Sequence, residues 1–177
     1  MKKIAVFGNT GGGKSTLSQR LAKITNLPLY VLDKIQYQSG GMKIPDEEYQ
    51  RIHQQILTTD QWIIEGFGCL ETVWLRLSEA DTLVYIDLPL HIHFWWVTKR
   101  LITGFFFPPQ GWPENSPLLK SSITSYRNLW LCHRHLTPKY RDYITQVQSI
   151  QKVYHLQSTK QISQFFKSIS TDIKDKV

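Results

Sequence analysis

The sequence predicts an α/β fold: a parallel sheet of five strands covered by helices on both faces. Three observations predict it. Short apolar runs rich in β-branched residues alternate along the chain with stretches whose apolar residues recur at helical spacing. The runs are apolar throughout rather than alternating apolar and polar, as in strands buried on both faces. At 177 residues the chain is long enough for one domain with a core and short for two.

The elements follow in order. Lys3 to Phe7 is the first strand, and Lys14 to Thr25 carries Leu17, Leu21, Ala22 and Ile24 at helical spacing. Leu29 to Leu32 is the second strand, ending at Asp33, and the glycine-rich Ser39 to Met42 is a turn. Pro45 with Asp46, Glu47 and Glu48 opens a helix to about Leu57, since acids there complement the helix dipole. Trp62 to Glu65 is the third strand, Leu70 to Leu77 a short helix, and Thr82 to Asp87 the fourth strand. Pro89 opens a helix reaching Thr103. The stretch GFFFPPQGWPENSP, with four prolines and two glycines, is a loop. Ser116 and Pro117 start a further helix that breaks at Pro138 and ends near Val147. Lys152 to Leu156 is the fifth strand and Lys160 to Ser168 the last helix. Residues 1–170 are expected to form a single domain, with an acceptor-side segment at about 33–60 and a lid-like segment at about 101–116. A polar, frayed tail is expected over 171–177.

Composition narrows the class. No apolar run reaches the ~20 residues of a membrane span. The short apolar run after Met1 stops at glycines, unlike a signal peptide, so a cytoplasmic location is expected. Cys69 and Cys132 are too few for a disulfide framework and are expected as free, partly buried thiols. The net charge of +7 suits a polyanionic partner, nucleotide or nucleic acid, but the basic residues are scattered and form no nucleic-acid arm.

The chemistry concentrates at Gly8-Asn9-Thr10-Gly11-Gly12-Gly13-Lys14-Ser15, which fits G-x-x-x-x-G-K-[ST] and lies between a strand and a helix. Glycines let successive N–H groups turn inward into an anion-binding nest, and the helix N-terminus adds partial positive charge. Lys14 is expected to span the β- and γ-phosphates of ATP, and Ser15 to hold Mg²⁺. Thr16 completes the nucleotide-binding set. The three glycines of G-x-G-x-x-G cannot all be laid over this stretch, which excludes a dinucleotide fingerprint. The guanine motif N-K-x-D is absent, and Asp87 is followed by Leu-Pro-Leu rather than D-x-x-G, which excludes a Ras-like GTPase. Asp87, ending a hydrophobic strand, is the candidate second metal residue; the other reading is a cap for the helix opening at Pro89.

The phosphate loop, LYVLDKI, DQWIIEGFG, ADTLVYIDLP and KVYHLQS together resemble the adenylate-kinase-like P-loop proteins of the DNA topology modulation family along most of the chain. The resemblance implies a three-layer, nucleoside-kinase-like P-loop fold with a five-stranded parallel sheet and the P-loop strand central. It also implies a kinase that moves the γ-phosphoryl group of Mg-ATP to a small-molecule or nucleotide acceptor. Asp33 matches the strand-two acid that faces the acceptor in related kinases; capping a turn is its plainer role. Glu65-Gly66-Phe67 resembles the D-G-F of adenylate kinases, but Gly68-Cys69 stand where those enzymes have Pro-Arg, and the monophosphate-gripping arginine is missing. Arg100 sits where adenylate kinases place a lid arginine, and Arg134 and Arg141 lie on the returning helices. The lid itself departs from the family, with no Lys or Arg between Leu101 and Leu119.

Other features read more plainly. His91 with His93, and His133 with His135, diverge at i, i+2 on helices and make no metal site, so they are expected at the surface or partly buried. Phe94, Trp95, Trp96 and Val97 pack a core or a dimer interface, so both monomer and homodimer are open. The rival to a kinase is a nucleotide-dependent regulator that binds DNA or protein with at most slow ATPase activity. No helix-turn-helix supports it.

Overall fold

The computed structural model describes residues 1–38, 41–104 and 118–174. Five strands form one parallel sheet: β1 (Lys3–Gly8), β2 (Leu29–Val31), β3 (Trp62–Glu65), β4 (Thr82–Ile86) and β5 (Lys152–Leu156), in the order β2-β3-β1-β4-β5. The phosphate-loop strand is thus central. Ala5 is paired with Ile64 on one side and Leu83 on the other.

Eight helices are described: α1 (Lys14–Thr25), α2 (Leu32–Gln36), α3 (Asp46–Leu57), α4 (Leu70–Glu79), α5 (Leu90–Gly104), α6 (Leu118–His135), α7 (Thr137–Val147) and α8 (Thr159–Lys174). Because strand side chains alternate, the central strand feeds two cores. Ile4 and Val6 join Leu17 and Leu21 of α1 and Phe165, Phe166 and Ile169 of α8. Ala5 and Phe7 join Tyr49 and Ile56 of α3, Val73 and Leu77 of α4, and Tyr140 and Ile144 of α7. Three layers result, as expected. Helices α1 and α8 thus cover one face of the sheet, and α3, α4 and α7 cover the other.

Local signals explain most element ends. Pro45 precedes α3 and three acids occupy its first turn. Asn26 closes α1 in the left-handed region, its N–H bonded to the Ala22 carbonyl. The helix expected to break at Pro138 does so two residues earlier, at Leu136, and Pro138 sits in the first turn of α7, where its missing N–H costs nothing.

The structure corrects three expectations. Strand β2 ends at Val31, and Leu32 opens the short helix α2. Helix α4 runs on to Glu79. Helix α8 reaches Lys174 instead of ending near Ser168, anchored by buried Phe165, Phe166 and Ile169. The expected loop and Ser116–Pro117 helix start, together with most of the lid-like segment, fall outside the described residues. Both cysteines are free thiols. Among the described residues no helix is long and apolar enough to cross a membrane. Of the aromatic stretch on α5, Val97 is buried and Trp96 packs on the core, whereas Phe94 and Trp95 are exposed, Phe94 stacking on Tyr126 of α6.

Candidate active site

The phosphate loop turns from β1 into α1 through Gly11 and Gly13, whose φ angles of 71° and 75° favour glycine. Its outer side is walled by α5. A methyl group on Gly13 would stand 3.0 Å from the Trp96 ring, and one on Gly12 would stand 3.0 Å from Cε1 of His93. Asn9 is buried and uses its side chain structurally. Its Nδ2 donates to the Leu129 carbonyl of α6 at 3.0 Å, and its Oδ1 accepts from Thr10 N–H at 2.7 Å. Lys14 lies across the loop with Nζ donating to the Asn9 carbonyl at 2.9 Å. Ser15 is half-buried and Thr16 exposed on the first turn of α1.

Strand order brings β3 directly beside β1, so Glu65, the last residue of β3, meets the loop. Glu65 is 2% exposed and accepts a hydrogen bond from Ser15. Burial raises its pKa; Lys14 opposes the rise, Asp33 adds to it, and the Ser15 bond and Arg76 lower it. Asp33 enters from the first turn of α2. A methyl on Gly66 would stand 3.5 Å from its Oδ1. The residue is exposed to solvent at the surface, beside the turn after β3. Desolvation there raises its pKa, against the attraction of Lys14, then Arg100, then Arg76.

Arg100 is drawn into the same group: it donates to Ser125 Oγ at 3.0 Å and feels the Asp33 charge. Arg76, 1% exposed on α4, donates from Nη2 to the Gly66 carbonyl at 3.1 Å and fixes the turn after Glu65. Arg134 is exposed near the end of α6 and is not brought to the loop by any described contact.

Asp87 stands apart from this group. Arg141 of α7 donates to it from Nε at 2.8 Å and from Nη2 at 3.0 Å, and His155 Nε2 lies 2.9 Å from its Oδ2. Burial alone would raise the Asp87 pKa; the bonds from Arg141 and His155 bring it below the usual carboxylate range.

Lys14, Ser15, Asp33 and Arg100 therefore converge as candidate residues, and Asp87 and Arg134 lie outside the convergence. Glu65, which the sequence offers as an acceptor-side acid, joins them, and Arg76 is an addition. The signal for Arg76 was an arginine on the same helix face as Val73 and Leu77. Among the described residues no group of three or more His, Cys, Asp or Glu could hold a metal ion by itself. The buried Glu65, the solvent-accessible Asp33 and the Ser15 hydroxyl beside an anion nest do fit magnesium, which binds through few protein oxygens together with phosphates and water. A site at the C-terminal ends of parallel strands, where β1 is followed by strands on both sides, is also where ligands bind in such sheets.

No protein-family model matches the chain. A shikimate kinase from Leptospira borgpetersenii serovar Hardjo-bovis is 30% identical over 143 residues, covering 72% of this chain and 79% of the relative. The chain belongs to the shikimate kinase family. It is accordingly a P-loop kinase, and its phosphate loop and parallel sheet are those of a phosphotransferase. The fold agrees with the structure of shikimate kinase from Acinetobacter baumannii in complex with shikimate, at a TM-score of 0.59 and 13% identity over 100% of this chain and 96% of that one. The likeness to the shikimate kinase of Aquifex aeolicus is weaker, at a TM-score of 0.47 and 15% identity over 96% and 97% of the two chains. The family relationship found is thus with shikimate kinase, and the narrower resemblance to DNA topology modulation proteins rests on the motifs alone.

Proposed function

We propose that this kinase transfers the γ-phosphoryl group of Mg-ATP to a hydroxyl of a small acceptor lying over Asp33 and Glu65. The observation that carries the reading is the placement of two carboxylates without salt-bridging cations, among the described residues, beside the Lys14 and Ser15 of an anion nest. Bound magnesium would neutralise charge on the β- and γ-phosphates. It would be held by the Ser15 hydroxyl, with Glu65 orienting it. Asp87 joins it only by giving up Arg141 or His155. Lys14 exchanges the Asn9 carbonyl for the transferring phosphoryl oxygens, and the loop N–H groups from Gly8 to Thr16 hold the rest of the chain of phosphates. Asp33 orients the acceptor hydroxyl and takes its proton, helped by a pKa raised above the usual carboxylate value. Arg100 adds positive charge as the transition state forms.

The relative's name makes shikimate the first acceptor to try, followed by other hydroxylated acids, sugars and nucleoside monophosphates. Purified protein with Mg-ATP should release ADP in an acceptor-dependent way, and Lys14→Ala should lower that rate about 10²–10³-fold while melting at an unchanged temperature. Full activity in Lys14→Ala would sink the mechanism. A second reading, a nucleotide-switched regulator of DNA, draws on the net charge of +7 and the motif resemblance. It predicts no acceptor-dependent turnover, together with salt-sensitive binding to duplex DNA.

A further inference from the structure

A phosphate nest works only if its peptide carbonyls point away from the anion, so something must hold them outward. At Thr10 that partner is His93, from the second turn of α5. The His93 ring is 2% exposed and its Nδ1 lies 2.9 Å from the Thr10 carbonyl. The ring lies against Gly12, and the main-chain carbonyl of His93 would stand 3.0 Å from a methyl on Gly11. Helix α5 therefore supports the underside of the loop with this side chain and its backbone.

A carbonyl oxygen only accepts, so Nδ1 must carry a hydrogen. In the neutral ring Nε2 is then the basic nitrogen. The charges around it are few. Lys14 of α1 is the nearby cation and Asp87, after β4, the nearby anion; the Leu88 backbone adds a hydrogen bond. Burial, and to a lesser degree Lys14, keep His93 below its ordinary pKa, against the pull of the Thr10 bond. A polyphosphate on the loop changes both conditions: it neutralises Lys14 and places several negative charges one peptide thickness from the imidazole.

We propose that His93 is a positioning residue of the nucleotide site, which fixes the Thr10 carbonyl through Nδ1–H and takes up a proton on Nε2 when a polyphosphate occupies the loop. The proton adds a cation beneath the nest at the moment an anion arrives and leaves with it. Nothing is oxidised or reduced, and the proton comes from solvent. The inference rests on the nucleotide reading above.

The test is calorimetric titration of the protein with Mg-ADP near pH 6.5, in buffers of differing ionisation enthalpy, for wild type and His93→Asn. Asparagine keeps an N–H donor where Nδ1 was and cannot titrate. Wild type should take up a substantial fraction of a proton per nucleotide, and its affinity should rise as pH falls from 7.5 to 6, by less than the tenfold per unit that one full proton allows. His93→Asn should bind with less proton uptake and a flatter pH profile. Equal proton uptake in the two proteins overturns the inference but leaves nucleotide binding intact. Absence of binding in wild type sinks the nucleotide reading instead. Should the variant fail to fold, the ring signals of His93 in wild type decide by NMR: their titration should move to higher pH on adding Mg-ADP, and an unmoved titration overturns the proposal.

Discussion

On the β2–β3 flank of the sheet, the solvent-accessible Asp33 and the buried Glu65 have pKa values pushed up; on the β4–β5 flank, the buried Asp87 has its pKa held down. Burial acts in the same direction on all three. Partners make the difference. Asp87 has a two-pronged guanidinium and an imidazole, whereas Asp33 and Glu65 feel Lys14 and Arg76, and Asp33 also Arg100, as charges without a salt bridge among the described residues, and the Asp33 charge bears on Glu65. The lesson is one of division. A carboxylate with satisfied oxygens ties α7 and β5 to the sheet, and carboxylates left short of partners are available to a metal ion, a proton or a substrate hydroxyl.

The largest effect expected from this contrast is on rate. Asp33→Asn removes the proton acceptor and leaves the shape, so kcat should fall about 10²–10⁴-fold. The melting temperature should stay level, because the residue is exposed and its carboxylate makes no salt bridge among the described residues. Steady-state kinetics and a thermal melt on the same preparation check both halves. A rate within tenfold of wild type would reduce Asp33 to a cap of α2 and erase the contrast.

Much of this was legible in the residues, for identifiable reasons. The runs at Trp62–Glu65 and Lys152–Leu156 and the helix Lys14–Thr25 have the bounds the sequence predicts, because each is an unbroken apolar run or a clear helical repeat between polar or glycine punctuation. Helix α2 was not, since five residues are too few to display a period. The phosphate loop announced itself by spacing. Its environment did not: the Ser15–Glu65 bond joins residues fifty apart, and the Asp87–Arg141 pair spans 54 positions. Both depend on which strand lies beside β1, and that is a property of topology rather than of any local pattern. Thus Glu65 was readable as an acceptor-side acid but not as the partner of Ser15, and Arg141 as a candidate phosphate arginine but not as the partner of Asp87. His93 is similar: on its helix it lies two residues from another histidine, and only the docking of α5 on the loop buries it.

A smaller effect, on stability, tests the other flank. Asp87→Asn should cost roughly 2 kcal/mol, the scale of hydrogen bonds to charged groups, discounted because the Arg141 side chain is 53% exposed. For a chain of this length that is a fall of about 4–8 °C in Tm. With Asp87 acting structurally, kcat at a permissive temperature should stay within about threefold of wild type. Collapse of kcat with an unchanged Tm would invert the comparison and put Asp87 on the metal.

The smallest effect is a pH dependence in which the flanks oppose each other. The native protein holds Asp33 and Glu65 protonated at pH values where the unfolded chain, with carboxylates near about 4, has already released those protons. In that window the native state binds more protons, so stability falls as pH rises from the unfolded value through the raised native one. Asp87 has the opposite sign. Its contribution is complete above the unfolded value and is lost as pH falls through the depressed native one. Denaturant unfolding of wild type and of Asp33→Asn/Glu65→Gln, followed upward from pH 4, separates the two. The double variant should gain on wild type as pH rises, while both lose stability together in stronger acid where Asp87 is protonated. A constant difference between the proteins from pH 4 to 8 would mean that Asp33 and Glu65 are as well compensated as Asp87, and the division between flanks would fail.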